Sequence, residues 1–412
     1  MKARIALLAA GWLLWAGTLR GQEADGMTQI LHLVEANNKE LQAAAQQAKA
    51  AQWENRAGNN LPDPTLSYAH VWDSRDSEIT QGELIVSQSF DFPTLYASRH
   101  RMNRYANAAI DADLQATRQR ILLEAKQLCI ELTALHQQRQ LLRQRMEQAD
   151  RLAQLYQLRL NEGDANQLEM NKIKLEQLNA QTAYRLTEST LQSKMQQLIA
   201  LNGQQPLTAG KPGPLGPAAP QPEAIGLTTF ADTPLPTDFL TLFGELVAAD
   251  PQLQALEQSR LAAARQLSVS RQGWLPKLEL GYRRNSDSGH PLNGVVVGFS
   301  IPLFENRGKV KSARLQSMSV SFQREDALGK EQSRLNSLYE EASQLHQQIL
   351  TYRATLSGPQ HLALLEKALK EGEISLIDFF VEATLVYESE GNLIELQSRY
   401  EAVLAELYRC RL

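Results

Sequence analysis

Two halves of this sequence carry the same landmarks in the same order, so a fold that suits the first half must also serve the second. Leu41-Gln42-Ala43 recurs as Leu253-Gln254-Ala255, and Pro64-Thr65-Leu66 as Pro276-Lys277-Leu278, both 212 residues later. Further on, Pro93 answers to Pro302 and Glu162-Gly163 to Glu371-Gly372, 209 residues later. The offset shortens between the paired prolines, where the pattern predicts a β-hairpin whose loop length is cheap to change. Leu135-His136-Gln137-Gln138 recurs as Leu345-His346-Gln347-Gln348 at 210, a one-residue slip left over from this scheme. The two repeats span 27–203 and 238–412, joined by 204–237.

Each repeat contains helical pattern too long for an ordinary core. Ile121, Ala125, Leu128, Leu132 and Leu135 open a run of alternating four- and three-residue steps that passes through Arg139, its only polar member, to Leu160. Pro93 to Gly163 and Pro302 to Gly372 are both 70 residues, so a helix over most of either is on the order of 100 Å long. Pro359, after Ser357-Gly358, predicts a break in the second. Leu160-Asn161-Glu162-Gly163-Asp164 and Leu369-Lys370-Glu371-Gly372-Glu373 are matched turns followed at once by new helical pattern. Glycine there can close one helix in the left-handed conformation while the neighbouring acid complements the start of the next. Two antiparallel helical hairpins are expected, their return helices running to about Leu201 and to the C-terminus.

Between these helices the period changes to two. Leu278, Leu280 and Tyr282 alternate with Lys277, Glu279 and Arg283; Leu66, Tyr68, His70 and Trp72 alternate with Thr65, Ser67 and Ala69; Val295, Val297, Phe299 and Ile301 alternate with Val296, Gly298 and Ser300. One face suits lipid and the other water, over strands at about 64–73, 82–92, 276–284 and 293–302, with polar turns at Asp73 to Gln81 and Asn285 to Asn293. An open four-stranded sheet cannot sit in hydrocarbon with its edge amides unpaired, so copies must pool their strands. Three chains supply twelve strands, enough for a barrel with a watery lumen above twelve long helices.

Residues 1–21 read as a secretory signal peptide: Lys2 and Arg4, an apolar run from Ile5 to Ala16, then small residues. Past residue 22 no apolar stretch reaches spanning length, which leaves closed β-strands as the way across a bilayer. The formal charge of −4 disfavours nucleic acid. Cys129 and Cys410 are expected as thiols rather than a disulfide framework. Eight of the 16 prolines fall between Gln205 and Thr237, a linker with little regular structure. No phosphate loop, zinc-ligand spacing or nucleophile elbow occurs, so no enzyme and no cofactor is expected. The seven histidines are scattered, and His136 and His346, in Gln-rich helix, suit hydrogen bonding better than metal ligation.

The duplicated helix–hairpin–helix units, the Leu61-Pro62-Asp63-Pro64-Thr65-Leu66 and Leu275-Pro276 entries and the glycine tips resemble TolC-type outer-membrane efflux channels, over essentially Ile30 to Leu412. The Pro-Asp-Pro-Thr-Leu wording looks most like the branch serving cation and heavy-metal efflux, although no N-terminal Cys for lipidation is present. The resemblance implies a mainly α fold with a small β part, and a homotrimer whose 12-stranded outer-membrane β-barrel continues as a long periplasmic α-helical barrel. It implies a passive exit duct for solutes, cations above all, within a tripartite system. Its partners would be outer-membrane lipid, a periplasmic adaptor protein and an inner-membrane pump, most readily of the resistance-nodulation-division type. Drug efflux and type I protein secretion are the variant cargoes; a periplasmic coiled-coil spacer is the reading from a different class. By the same resemblance the adaptor docks on Leu160, Glu162, Gly163, Asp164, Leu369, Glu371, Gly372 and Glu373. Glu169 and Asp378, six residues after each tip glycine, would form the periplasmic gate.

Overall fold

The computed structural model describes residues 26–72, 80–207, 221–231, 233–236, 238–287, 290–356 and 361–412. The expected signal segment, most of the first hairpin turn and Pro359 lie outside the described residues. The first repeat comprises α1 (Gly26–Asn37), α2 (Lys39–Ala57), β1 (Thr65–Trp72), β2 (Thr80–Phe90), α3 (Pro93–Glu162) and α4 (Gln167–Leu201). The second comprises α5 (Phe239–Ala249), α6 (Pro251–Gln272), β3 (Lys277–Asp287), β4 (His290–Ser300), α7 (Lys309–Leu356), α8 (His361–Glu371) and α9 (Leu376–Leu407).

The duplication extends to the caps. Asn38 breaks α1 from α2 and accepts from the Leu41 amide, while Asp250, 212 residues later, breaks α5 from α6 and accepts from Gln252 and Leu253. Each break is tied to the end of a return helix: Asn38 Nδ2 donates to the Leu201 carbonyl at 2.8 Å, and Arg409 pairs with Asp250 at 2.8 Å. Thus α2 begins where α4 ends, and α6 where α9 ends. α3, 70 residues and about 105 Å long, passes both levels. It lies between α2 and α6 above and between α4 and α9 below, and α7 flanks α6 and then α9. The result is one layer of helices with two lateral edges.

The four strands form a single antiparallel sheet in the order β1-β2-β3-β4, so the two hairpins join through β2 and β3. The register places Leu66, Val86, Tyr282 and Val295 in one row and Leu280 and Val297 in the next, on the same face. That face is bare: Leu66 is 70% exposed, Val295 80% and Phe299 69%. On the opposite face Arg283 pairs with Glu83 at 2.5 Å.

Three expectations change. β3 and β4 run past the expected polar turn, with Asn285↔Leu292, Ser286↔Pro291 and Asp287↔His290 still paired, because polar side chains do not end a strand while a partner backbone lies alongside. α7 starts at Lys309 rather than near Pro302. Gly308, at φ 84, interrupts the chain there, and the buried Asn306 donates to the Gly273 carbonyl at the end of α6. The linker, finally, is partly built into the body. Leu207, Ile225 and Leu227 pack with Ile30, Val34, Ile121 and Leu198 in one core, and Pro222–Ile225 forms a 3₁₀ turn.

A second core joins α5, α7 and α9 around Leu335, Leu404 and Leu407. A third holds the far end of both helical hairpins and is described next. Cys129 is buried and Cys410 is half-buried, and neither is joined in a disulfide.

Candidate functional site

Both hairpins end in the same turn. Gly163 (φ 84) closes α3, with its amide donating to Leu160 and the Asp164 amide to the Arg159 carbonyl at 2.8 Å. Gly372 (φ 77) closes α8, with its amide donating to Leu369 and Glu373 to the Ala368 carbonyl at 2.9 Å. The left-handed glycine lets the last carbonyls find donors without a Cβ clash. At neither glycine does any atom lie within 4 Å of where a Cβ would stand, so the turns face open space.

The apolar tip residues fix the two hairpins to each other. Leu369 is buried with Leu152, Tyr156, Met170, Ile173, Leu376 and Phe379, and Leu160 packs against that cluster. Glu162, Asp164, Glu371 and Glu373 are exposed, Glu371 standing 3.8 Å from Lys367. The two tips therefore form one acidic end.

Glu169 and Asp378 complete reciprocal caps. The Glu169 carboxylate accepts from the Asn166 amide at 3.0 Å while the Asn166 side chain accepts from the Glu169 amide at 2.9 Å. Asp378 accepts from the Ser375 amide and, at 2.6 Å, from its hydroxyl. An acid at the third helical position is a sufficient local reason for both residues.

Sequence reasoning missed the polar bridge between the hairpins. Tyr387, on α9, donates through its hydroxyl to Gln148 Oε1 on α3 at 2.6 Å, and Gln148 donates to Glu366 on α8 at 2.9 Å. Arg145 pairs with Glu176 at 2.6 Å and lies over the Tyr387 ring. Gln148 sits within the apolar-patterned stretch of α3 and Tyr387 reads as core, so neither stands out along the chain. Burial pushes the Tyr387 hydroxyl from 10.0 up to about 12. A raised value favours the protonated donor, so the bridge's stability is full below pH 10.0 and lost as pH rises to about 12. Tyr387→Phe is expected to cost about 1–2 kcal/mol locally and to speed amide hydrogen exchange in 376–390 roughly tenfold; unchanged exchange there would show that the bridge holds nothing.

The histidines are not brought together. His136 is buried, with Nδ1 3.2 Å from Glu223 of the linker and Nε2 2.8 Å from Gln140; burial lowers its pKa against the opposing pull of Glu223. Arg139, the polar member of the heptad run, also pairs with Glu223. This cluster clasps the linker. His346 packs beside Tyr400.

No family model matches the sequence, and no curated protein does. Solved structures do match in fold. CusC, whose crystal structures concern folding and transmembrane channel formation, superposes with a TM-score of 0.74 at 14% identity, over 93% of this chain and 91% of that one. The outer membrane protein VceC of Vibrio cholerae gives 0.73 at 14% identity, over 93% and 95%. The open state of the Neisseria gonorrhoeae MtrE outer membrane channel gives 0.75 at 14% identity, over 94% and 88%. The chain has the fold of these channels, a helical barrel segment continued by a β-barrel segment.

Proposed function

We propose that this protein is the outer-membrane channel of a tripartite efflux system, a passive duct that a periplasmic adaptor connects to an inner-membrane pump. The observation that carries this reading is a sheet with one bare apolar face whose two edge strands lack partners among the described residues, continuous with a helical layer that also ends in two edges. Neither closes within one chain, and hydrocarbon does not tolerate unpaired strand edges. Three copies close both layers, with twelve strands in the barrel. The exposed stripe Leu168, Leu175, Leu178 and Leu186 on α4 and the stripe Leu315, Met318 and Phe322 on α7 offer apolar surface for the lateral contacts. The expected result is a trimeric mass in detergent and ion conductance in planar bilayers. A monomeric mass with no conductance overturns the reading and favours a coiled-coil spacer.

Cations, heavy metals included, are the cargo most compatible with the acidic end made by Glu162, Asp164, Glu371 and Glu373, and a resistance-nodulation-division pump is the supply this reading favours. The tips are the adaptor surface. Glu169 and Asp378 serve as the gate in this reading, six carboxylates per trimer beside a narrow mouth, where they would attract cations and resist anions. The variant Glu169→Gln with Asp378→Asn is expected to lower cation over anion selectivity and divalent block in single-channel recordings. Gln at the third helical position keeps the reciprocal cap, so the helix starts should lose less than about 1 kcal/mol. Selectivity and block equal to wild type would return both acids to their capping role alone.

A further inference from the structure

The bare apolar face of the sheet continues downward onto the helices. Phe90, Leu278, Val297 and Phe299 share a recess with Leu61, Pro93 and Tyr96, at the first turn of α3. Helical periodicity puts His100, Asn103, Arg104 and Asn107 on the same side of α3 as Tyr96. Across a cleft of about 830 Å³ these face Trp53, Arg56, Asn59 and Asn60 at the end of α2.

The cleft is positively charged in an acidic chain. Its lining carries Arg56 and Arg104 against Asp111 alone, while the net charge of the chain is −4, and no Asp or Glu occurs from Pro93 to Ile110; Arg99 in that stretch lies outside the cleft and pairs with Asp91. Arg56 and Arg104 have no carboxylate partner among the described residues; Arg56 lies over Trp53, 5.0 Å from the ring centroid, and Arg104 over Tyr105. Asp111, at the far end, accepts from Gln52. Trp53 is 64% exposed. His100 and Arg104 lie about 10 and 16 Å along α3 from Pro93, so a long basic side chain there reaches the headgroup level below an apolar band.

Resting on the outer-membrane reading above, we propose that the α2/α3 cleft binds an anionic phospholipid of the periplasmic leaflet. Arg56 and Arg104 take the phosphodiester, and the acyl chains rise along the recess beside Leu61 and Phe299. Paired basic residues beneath a membrane boundary select anionic headgroups, and an exposed Trp suits the interface.

The test is native mass spectrometry of the purified full chain with phosphatidylglycerol or phosphatidylcholine, alongside bilayer insertion. Wild type is expected to retain the anionic lipid on the order of tenfold better, Arg56→Lys with Arg104→Lys to keep that preference, and Arg56→Gln with Arg104→Gln to lose it at unchanged oligomeric mass. Equal retention of both lipids by a wild type that inserts and conducts overturns the cleft assignment while leaving the channel reading intact. Loss of the oligomer in the Gln variant overturns it too, by marking the cleft as a contact between copies. A wild type that retains phosphatidylglycerol selectively yet never inserts supports the site and strikes at the channel reading.

Discussion

With valine at both Gly163 and Gly372, export is expected to fall to background while oligomeric mass and channel conductance stay at wild-type values. Two consequences of the turn geometry lead there. A side chain at φ 84 or 77 is strained, by about 1–2 kcal/mol for an ordinary L-residue and more for a β-branched one. A Cβ nevertheless meets nothing within 4 Å, so no core contact is displaced and the tip cluster around Phe379 survives. The loss is then confined to the tip surface on which an adaptor is proposed to close. Asparagine at both sites separates the two effects, because it adopts the left-handed conformation readily: export lost with asparagine marks occlusion of the surface, and export kept marks strain. Normal export by the valine pair removes the tips from docking altogether.

Arginine at Val295 and arginine at Val296 are expected to have opposite outcomes. Val295 stands in the row Leu66, Val86, Tyr282, on the bare apolar face, and is 80% exposed; Val296 faces the other way, opposite Gly281 and on the side of the Glu83–Arg283 pair. A cation facing lipid near mid-bilayer costs about 2–4 kcal/mol per strand, and the three copies of the proposed trimer multiply it. Val295→Arg should therefore abolish outer-membrane assembly in a fractionation assay. Val296→Arg should assemble and alter conductance. Equal assembly of the two variants would contradict the lipid-facing assignment.

The elements that periodicity controls were legible along the chain. The period-two segments became the strands, the two glycine turns became left-handed helix ends, and the long unbroken pattern from Pro93 became one helix of 70 residues. These follow from repeats of 2 and 3.6 residues and from the need for glycine at positive φ, all of which act over a few neighbouring positions. The gate candidates show the limit of such reading. Glu169 and Asp378 stand where a resemblance expects a gate, but the bonds they make are to Asn166 and Ser375 three residues away, a motif also readable as a capping box.

Sequence by itself thus determined the duplication, the hairpins and their two faces, because each is written in local spacing. Only the tertiary structure decided how the copies meet. It joined the hairpins through β2 and β3, set α2 over α4 and α6 over α9, delayed α7 through the Asn306–Gly273 bond, and folded the linker into the core by Leu207, Ile225 and Leu227. It also produced the Tyr387–Gln148 bridge, between residues 239 positions apart. No periodicity encodes such pairs, because they depend on which buried polar group finds its partner once distant helices are packed, and an unpaired one would cost more than the pairing gains.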